Sequence, residues 1–189
     1  MTTDAIVRWC LDSFEGRIYT DDPVDSGGAT KHGITLRTWQ YYVAHVLGET
    51  RTVTKAEIQA LTIDQAVNCI LALHVGEGRL DEVKSWRLRL VLVDWAIHSW
   101  HVAPVKALQS AVHGLAMDGV IGPHTRAALA LEDPLRLAGA VSAARMLWLD
   151  DLIRRRPKDA RYRSGWMRRV ALVLRHATRS QYDSMREDT

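Results

Sequence analysis

Leu88-Arg89-Leu90-Val91-Leu92-Val93-Asp94-Trp95-Ala96-Ile97-His98-Ser99-Trp100 is apolar nearly all the way round a helical wheel. A helix of that kind lies in the middle of a domain, covered by others. The stretch therefore predicts a helical fold with a real interior, which a chain of 189 residues, 47% apolar and 25% charged, is long enough to build. Upstream, Ile63, Ala66, Val67, Ile70 and Leu71 recur at helical spacing on one face. Downstream, Gly122-Pro123 and Asp133-Pro134 place proline at a first helical position, where its missing N–H costs no hydrogen bond. The expected fold class is mainly α: a helical bundle of α+β type with one small irregular β-hairpin or loop that carries the active site.

That loop is Ile18 to Ile34, with Asp22-Pro23 and Gly27-Gly28 as breakers, directly after a helix over Asp4 to Phe14. Loops held on a rigid scaffold carry most site residues. The string Phe14-Glu15-Gly16-Arg17-Ile18-Tyr19-Thr20-Asp21-Asp22-Pro23-Val24-Asp25-Ser26-Gly27-Gly28-Ala29-Thr30-Lys31-His32-Gly33-Ile34-Thr35 puts a lone glutamate at a helix end, facing an acidic, glycine-rich loop. Glycosidic hydrolysis needs one carboxyl group that protonates the leaving oxygen, and another group that stabilises the oxocarbenium ion or activates water. Glu15, beside Phe14 and the apolar side of the helix, suits the first role. Asp21, Asp22 and Asp25, in the polar loop, suit the second. Thr30 and Thr35 offer hydroxyls to orient a water or the sugar, and Tyr19 and His32 are candidate substrate contacts.

The same run resembles the signature of the family 108 glycoside hydrolases, Glu-Gly-Gly-Tyr followed by Asp-Pro-x-Asp-x-Gly-Gly-x-Thr-x-x-Gly-Ile. Residues 22–34 fit the second part throughout. The resemblance implies a lysozyme-like fold and an N-acetylmuramidase of the phage-endolysin kind, with Glu15 as its acid and Asp22 or Asp25, with Thr30, as helpers. The order Glu, Asp, Thr is also similar to that of phage-type lysozymes. The chain departs from the family at Arg17, which stands where a second glycine is usual, and at Ile18, which replaces an aromatic. Cys69 to Val75 occupies the place of an aromatic-rich stretch.

A second informative run, Ala107 to Leu129, reads as helix, glycine stop, Asp118-Gly119 turn and Gly122-Pro123 helix start. Its pattern of Leu-Gln, then Gly, then Asp-Gly-x-Ile-Gly-x-x-Thr resembles that of helical peptidoglycan-binding modules, and the likeness extends to Gly165-Trp166-Met167-Arg168-Arg169-Val170. It implies Asp118 and Trp166 as contacts to the same polymer; a turn that serves geometry alone fits the residues equally. In such modules the preceding helix often carries Asp-x-Ala-Val-Asn-x-Gly, for which this chain has Asp94 to Trp100, with His98 for asparagine and Trp100 for glycine. Trp95, Trp100, Trp148 and Trp166 read either as core or as sugar-stacking faces. His98 and His101 lie three apart without a third ligand, so no metal and no cofactor is expected. Cys10 and Cys69 read as buried thiols, a bridge between them being the alternative. The expected organisation is a catalytic region over 1–88 and a peptidoglycan-binding-like region over 89–189.

Residues 1–133 hold 12 Lys/Arg against 16 Asp/Glu, and residues 134–189 hold 13 against 6, so the net +3 hides a basic end. A cationic face favours polyanions, here anionic wall or outer-membrane polymers through the C-terminal helices. No nucleic-acid recognition motif accompanies it, so no nucleic-acid partner is expected. The chain reads as a monomer. Its start has no basic stretch leading into an apolar run, which suggests synthesis in a host cytoplasm and access to the wall after holin-type release. The functions in view are hydrolysis of the bond between N-acetylmuramic acid and N-acetylglucosamine, lytic transglycosylation, and non-catalytic wall binding or a phage structural role.

Overall fold

Helix α1 (Thr3–Phe14) opens the first of two units, Met1–Glu77 and Gly78–Thr189, into which the computed structural model divides. The structure describes residues 1–21 and 27–179, so Asp22 and Asp25 lie outside the described residues. Thr2 caps α1 by accepting from the Ala5 N–H at 3.2 Å, and the helix buries Ile6, Val7, Cys10 and Leu11. The loop then forms strands β1 (Thr30–Lys31) and β2 (Ile34–Thr35), paired antiparallel as Thr30 with Thr35 and Lys31 with Ile34. His32 and Gly33 make the two-residue turn at φ +50° and +73°. Positive φ at both positions matches the right-handed twist of the flanking strands.

Thr35 ends β2 and caps α2 (Leu36–His45), accepting from the Thr38 N–H at 3.1 Å. After α3 (Lys55–Ala60), helix α4 (Ile63–Ile70) starts on a reciprocal cap: the Gln65 N–H donates to the Thr62 hydroxyl, and the Thr62 N–H donates to the Gln65 side chain. Helix α4 buries Ala66, Val67, Cys69 and Ile70 and passes into a π-helical segment, Leu71–Gly76, with Leu73, His74 and Val75 inside. Cys10 and Cys69 are buried thiols, and neither forms a disulfide. Burial pushes the Cys69 thiol up to about 12, which leaves it unreactive.

In the second unit, helix α5 (Trp86–Ser99) buries Leu88, Leu90, Val91, Leu92, Val93, Asp94, Trp95 and Ala96. Helices α6 (Val102–Ser110), α8 (Pro134–Arg155) and α9 (Arg163–Thr178) pack against it. The all-round apolar character of α5 is thus that of a central helix. Between them, α7 (Pro123–Leu129) and α8 both begin at the prolines expected to start them, and Asp133 caps α8 by accepting from the Leu135 N–H at 2.9 Å. Arg87 closes the end of α9, donating from one guanidinium nitrogen to the Ala177 and Arg179 carbonyls, each at 2.6 Å. Both units are helical, and among the described residues the paired strands form one small hairpin in the first, the mainly α class expected. Among the described residues no helix is long and apolar enough to cross a membrane.

Trp100, just after α5, has φ +72° and ψ 167°, a region glycine enters freely and other residues rarely. The pattern quoted for peptidoglycan-binding modules has glycine at this position, and the backbone here is one that suits glycine. Holding a non-glycine residue there costs about 1–3 kcal/mol. Trp100→Gly is therefore expected to be more stable than Trp100→Ala by about 1 kcal/mol or more. Both variants lose the ring, and only glycine relieves the backbone. Equal denaturation midpoints for the two would show that the backbone stores no strain.

Candidate active site

The chain leaves α1 at Glu15, whose backbone turns extended (φ −97°, ψ 134°) while its N–H still donates to the Leu11 carbonyl at 3.1 Å. The Glu15 side chain is half-buried. Its neighbour in sequence, Phe14, stacks edge-on against Trp9, with ring centroids 5.4 Å apart. On the hairpin side lies Gly33. A Cβ placed there would stand 3.0 Å from Cγ, Cδ and Oε2 of Glu15. The hairpin tip thus rests directly on the carboxyl group.

Backbone links hold it there. The His32 N–H donates to the Gly16 carbonyl at 3.1 Å, and Thr20 and Thr30 exchange N–H···O bonds at 2.9 and 2.8 Å. Gly33 is glycine for two reasons, the positive φ of the turn and the closeness of Glu15. Gly33→Ala is expected to strain the turn and displace the carboxyl group, lowering the rate of wall cleavage by about 10²-fold, the penalty of a roughly 1 Å misplacement. Initial rates on purified peptidoglycan check this, and a wild-type rate would contradict it.

The other expected site residues divide by what they touch. Thr30 donates its hydroxyl proton to the Gly28 carbonyl at 2.9 Å, so the oxygen's lone pairs are what it can offer a water. The Thr35 hydroxyl is committed to the α2 cap and to the Thr38 hydroxyl at 2.9 Å. Tyr19 is half-buried, its hydroxyl 3.4 Å from Asp21, and Asp21 also receives Lys55 Nζ at 2.8 Å. That ion pair ties the start of the loop to α3.

His32, expected to face substrate, is only 8% exposed and bonds the Leu61 backbone. Burial, and then the Lys31 and Arg17 charges, hold its pKa below the usual histidine range, so the ring is neutral packing for the hairpin. From the first position of the two-residue turn the ring is thus packed inward rather than presented to solvent. At the departures from the signature, Arg17 turns back to Asp12 on α1 at 2.6 Å, and Ile18 is 78% exposed.

In the second unit, Asp118 also belongs to its own turn. Its Oδ1 accepts from Gln109 Nε2 at 2.7 Å and from the Val120 N–H at 2.9 Å, and these bonds hold its carboxyl below the usual range. Gln109, 1% exposed, also donates to the Val120 carbonyl at 3.1 Å and accepts from the Gly119 N–H at 3.0 Å. Gly119 sits at φ +87°. The motif therefore encodes a stapled turn, in which Oδ1 serves geometry while Asp118 itself stays exposed. Gln109, the glutamine of the Leu-Gln pattern, is the centre of this turn, a role that its spacing alone does not announce.

Asp94 is fully buried between two guanidinium groups, with Arg145 Nη1 at 2.5 Å from Oδ2 and Arg169 Nε at 2.9 Å from Oδ1. Burial alone would push its carboxyl up, but the two arginines outweigh it and hold it down. Arg145 also lies 3.5 Å from His98 Nδ1. Burial first, then the Arg145 and Arg169 charges, press the His98 pKa down to about 3, so its imidazole stays neutral. Trp95 belongs to the core, while Trp100, Trp148 and Trp166 are half-buried. Among the described residues no three His, Cys, Asp or Glu side chains gather as a metal site.

Residues 9–99 match the model of the glycosyl hydrolase 108 family, and residues 103–171 match a predicted peptidoglycan domain. The first match runs beyond the boundary between the two units and takes in α5. No curated protein matches the chain. Among solved structures, that of Brucella abortus SagA is similar, with 31% identity over 95% of this chain and 97% of that one and a TM-score of 0.78. The chain belongs to the glycosyl hydrolase 108 family and carries a predicted peptidoglycan domain over its second part, which makes it a glycoside hydrolase acting on peptidoglycan.

Proposed function

We propose that the chain is an N-acetylmuramidase that hydrolyses the β-1,4 bond between N-acetylmuramic acid and N-acetylglucosamine, with Glu15 as its general acid. The observation that carries this reading is the seat of Glu15 at the end of α1, with its side chain against the hairpin tip at Gly33. Glu15 delivers its proton to the bridging oxygen as the bond from the muramic anomeric carbon breaks, and its carboxylate then takes a proton from the incoming water. Asp22 or Asp25 supplies the second carboxylate, and Thr30 accepts a hydrogen bond from the water. Reduction of the released fragments with borohydride tests the bond: new ends on N-acetylmuramic acid are expected, and new ends on N-acetylglucosamine overturn it.

The wider role proposed is that of an endolysin, brought to the wall by a holin-type release. The exposed Arg156, Lys158, Arg168 and Arg175 fit attraction to anionic wall or outer-membrane polymers. Changing Arg156, Arg168 and Arg175 together to Gln is expected to weaken retention on walls at low salt and to matter little near 1 M, where charges are screened beyond about 3 Å. Unchanged retention at low salt would contradict this.

A further inference from the structure

We propose that His98, Trp148, Tyr162 and Trp166 form a saccharide-binding site in the second unit, one that grips N-acetylhexosamine residues of the wall strand. The inference rests on the wall polymer as substrate and adds to the Glu15 site a place that holds the strand without cutting it.

The four side chains come from separate elements: His98 from the last turn of α5, Trp148 from α8, Tyr162 from the 3-10 turn Pro157–Tyr162, and Trp166 from α9. The His98 ring stands 6.0 Å from Trp148 at 83° and 5.1 Å from Trp166 at 53°, and Tyr162 lies 5.7 Å from Trp166 at 32°. Behind them Trp95, 1% exposed, contacts Trp148 at 5.9 Å and belongs to the core. Trp148, Tyr162 and Trp166 remain partly open to solvent. Partly exposed rings around one polar group suit a pyranose, whose C–H face stacks on aromatic surface while its hydroxyl and acetamide groups seek hydrogen bonds.

His98 supplies that polar group in a defined state. A guanidinium has no acceptor, so the Arg145 contact at 3.5 Å makes His98 Nδ1 the acceptor. The neutral ring then carries its hydrogen on Nε2, for which the described residues show no partner. Arg145 is itself fixed by the buried Asp94, so the donor is oriented before any ligand arrives. Nearby cations fit an acidic strand: Arg161 lies over the Tyr162 ring at 4.7 Å, and Arg168 is exposed beside Trp166 in sequence.

The test uses the full chain carrying Glu15→Gln, so that binding is read without cleavage. Titration with an N-acetylglucosamine trimer is expected to shift the indole N–H signals of Trp148 and Trp166 saturably in NMR spectra, assigned through Trp→Phe variants. His98→Gln and Trp166→Leu are each expected to weaken retention on insoluble peptidoglycan by about tenfold, or about 1.4 kcal/mol, with helical circular dichroism retained. Unmoved Trp148 and Trp166 signals, or full retention by both folded variants, would overturn the site. Bond cleavage is read separately with the unaltered Glu15 chain, so failure of the muramidase reading and failure of this site are distinguishable.

Discussion

Glu15→Gln is expected to lower the rate of peptidoglycan cleavage by about 10²–10⁴-fold, the usual worth of a positioned general acid. The amide matches the carboxyl group in shape, so the contact with Gly33 and the turn out of α1 survive. What is lost is the proton delivered to the leaving oxygen. Glu15→Asp keeps the acid but withdraws it by one methylene, and a misplacement near 1 Å costs about 10². The expected order is therefore wild type, then Asp, then Gln, with thermal stability little changed across the three. A Gln variant retaining most of the wild-type rate would remove Glu15 from the chemistry.

The second large effect is on stability. Asp94→Ala is expected to destabilise the protein by about 3–5 kcal/mol, because it leaves two guanidinium groups facing one another without their anion. Arg145 is buried with Asp94, and Arg169 is only 12% exposed along its side chain. A triple variant, Asp94→Ala with Arg145→Met and Arg169→Met, removes the charges together and is expected to recover much of the loss, since a buried ion cluster and an apolar filling of similar volume are often close in energy. Urea midpoints check both. A single variant as stable as wild type would mean that water reaches the cluster.

Patterns that repeat along the chain were legible in the sequence. The apolar round of α5, the inward face of α4 and the proline starts of α7 and α8 follow from local spacing, and the structure has them. The hairpin was located by its breakers, and Glu15 by its place at the end of the preceding helix. Pairings across long separations were not legible. Asp94 meets Arg145 and Arg169 over 51 and 75 positions, and no local pattern announces such a partner.

Two arginines counted toward the basic end are thus partly or fully inside, while Arg154, Arg155 and Arg163 pair with Asp150 or Asp151. The cationic surface is smaller than the composition suggested. Asp118 shows the same difficulty at short range. Asp-Gly announces a turn, but only the position of Gln109 shows that the carboxylate is used within it. His32 and Gly33 were visible as a turn, while the direction of the first and the contact of the second with Glu15 depend on where the hairpin lands.

The most direct measurement is mass spectrometry of fragments released from purified peptidoglycan in heavy-oxygen water, with wild type and Glu15→Gln side by side. Hydrolysis through Glu15 leaves N-acetylmuramic acid reducing ends carrying one labelled oxygen with wild type, and almost none with the variant. Anhydro ends without label, or equal product from both proteins, would contradict it.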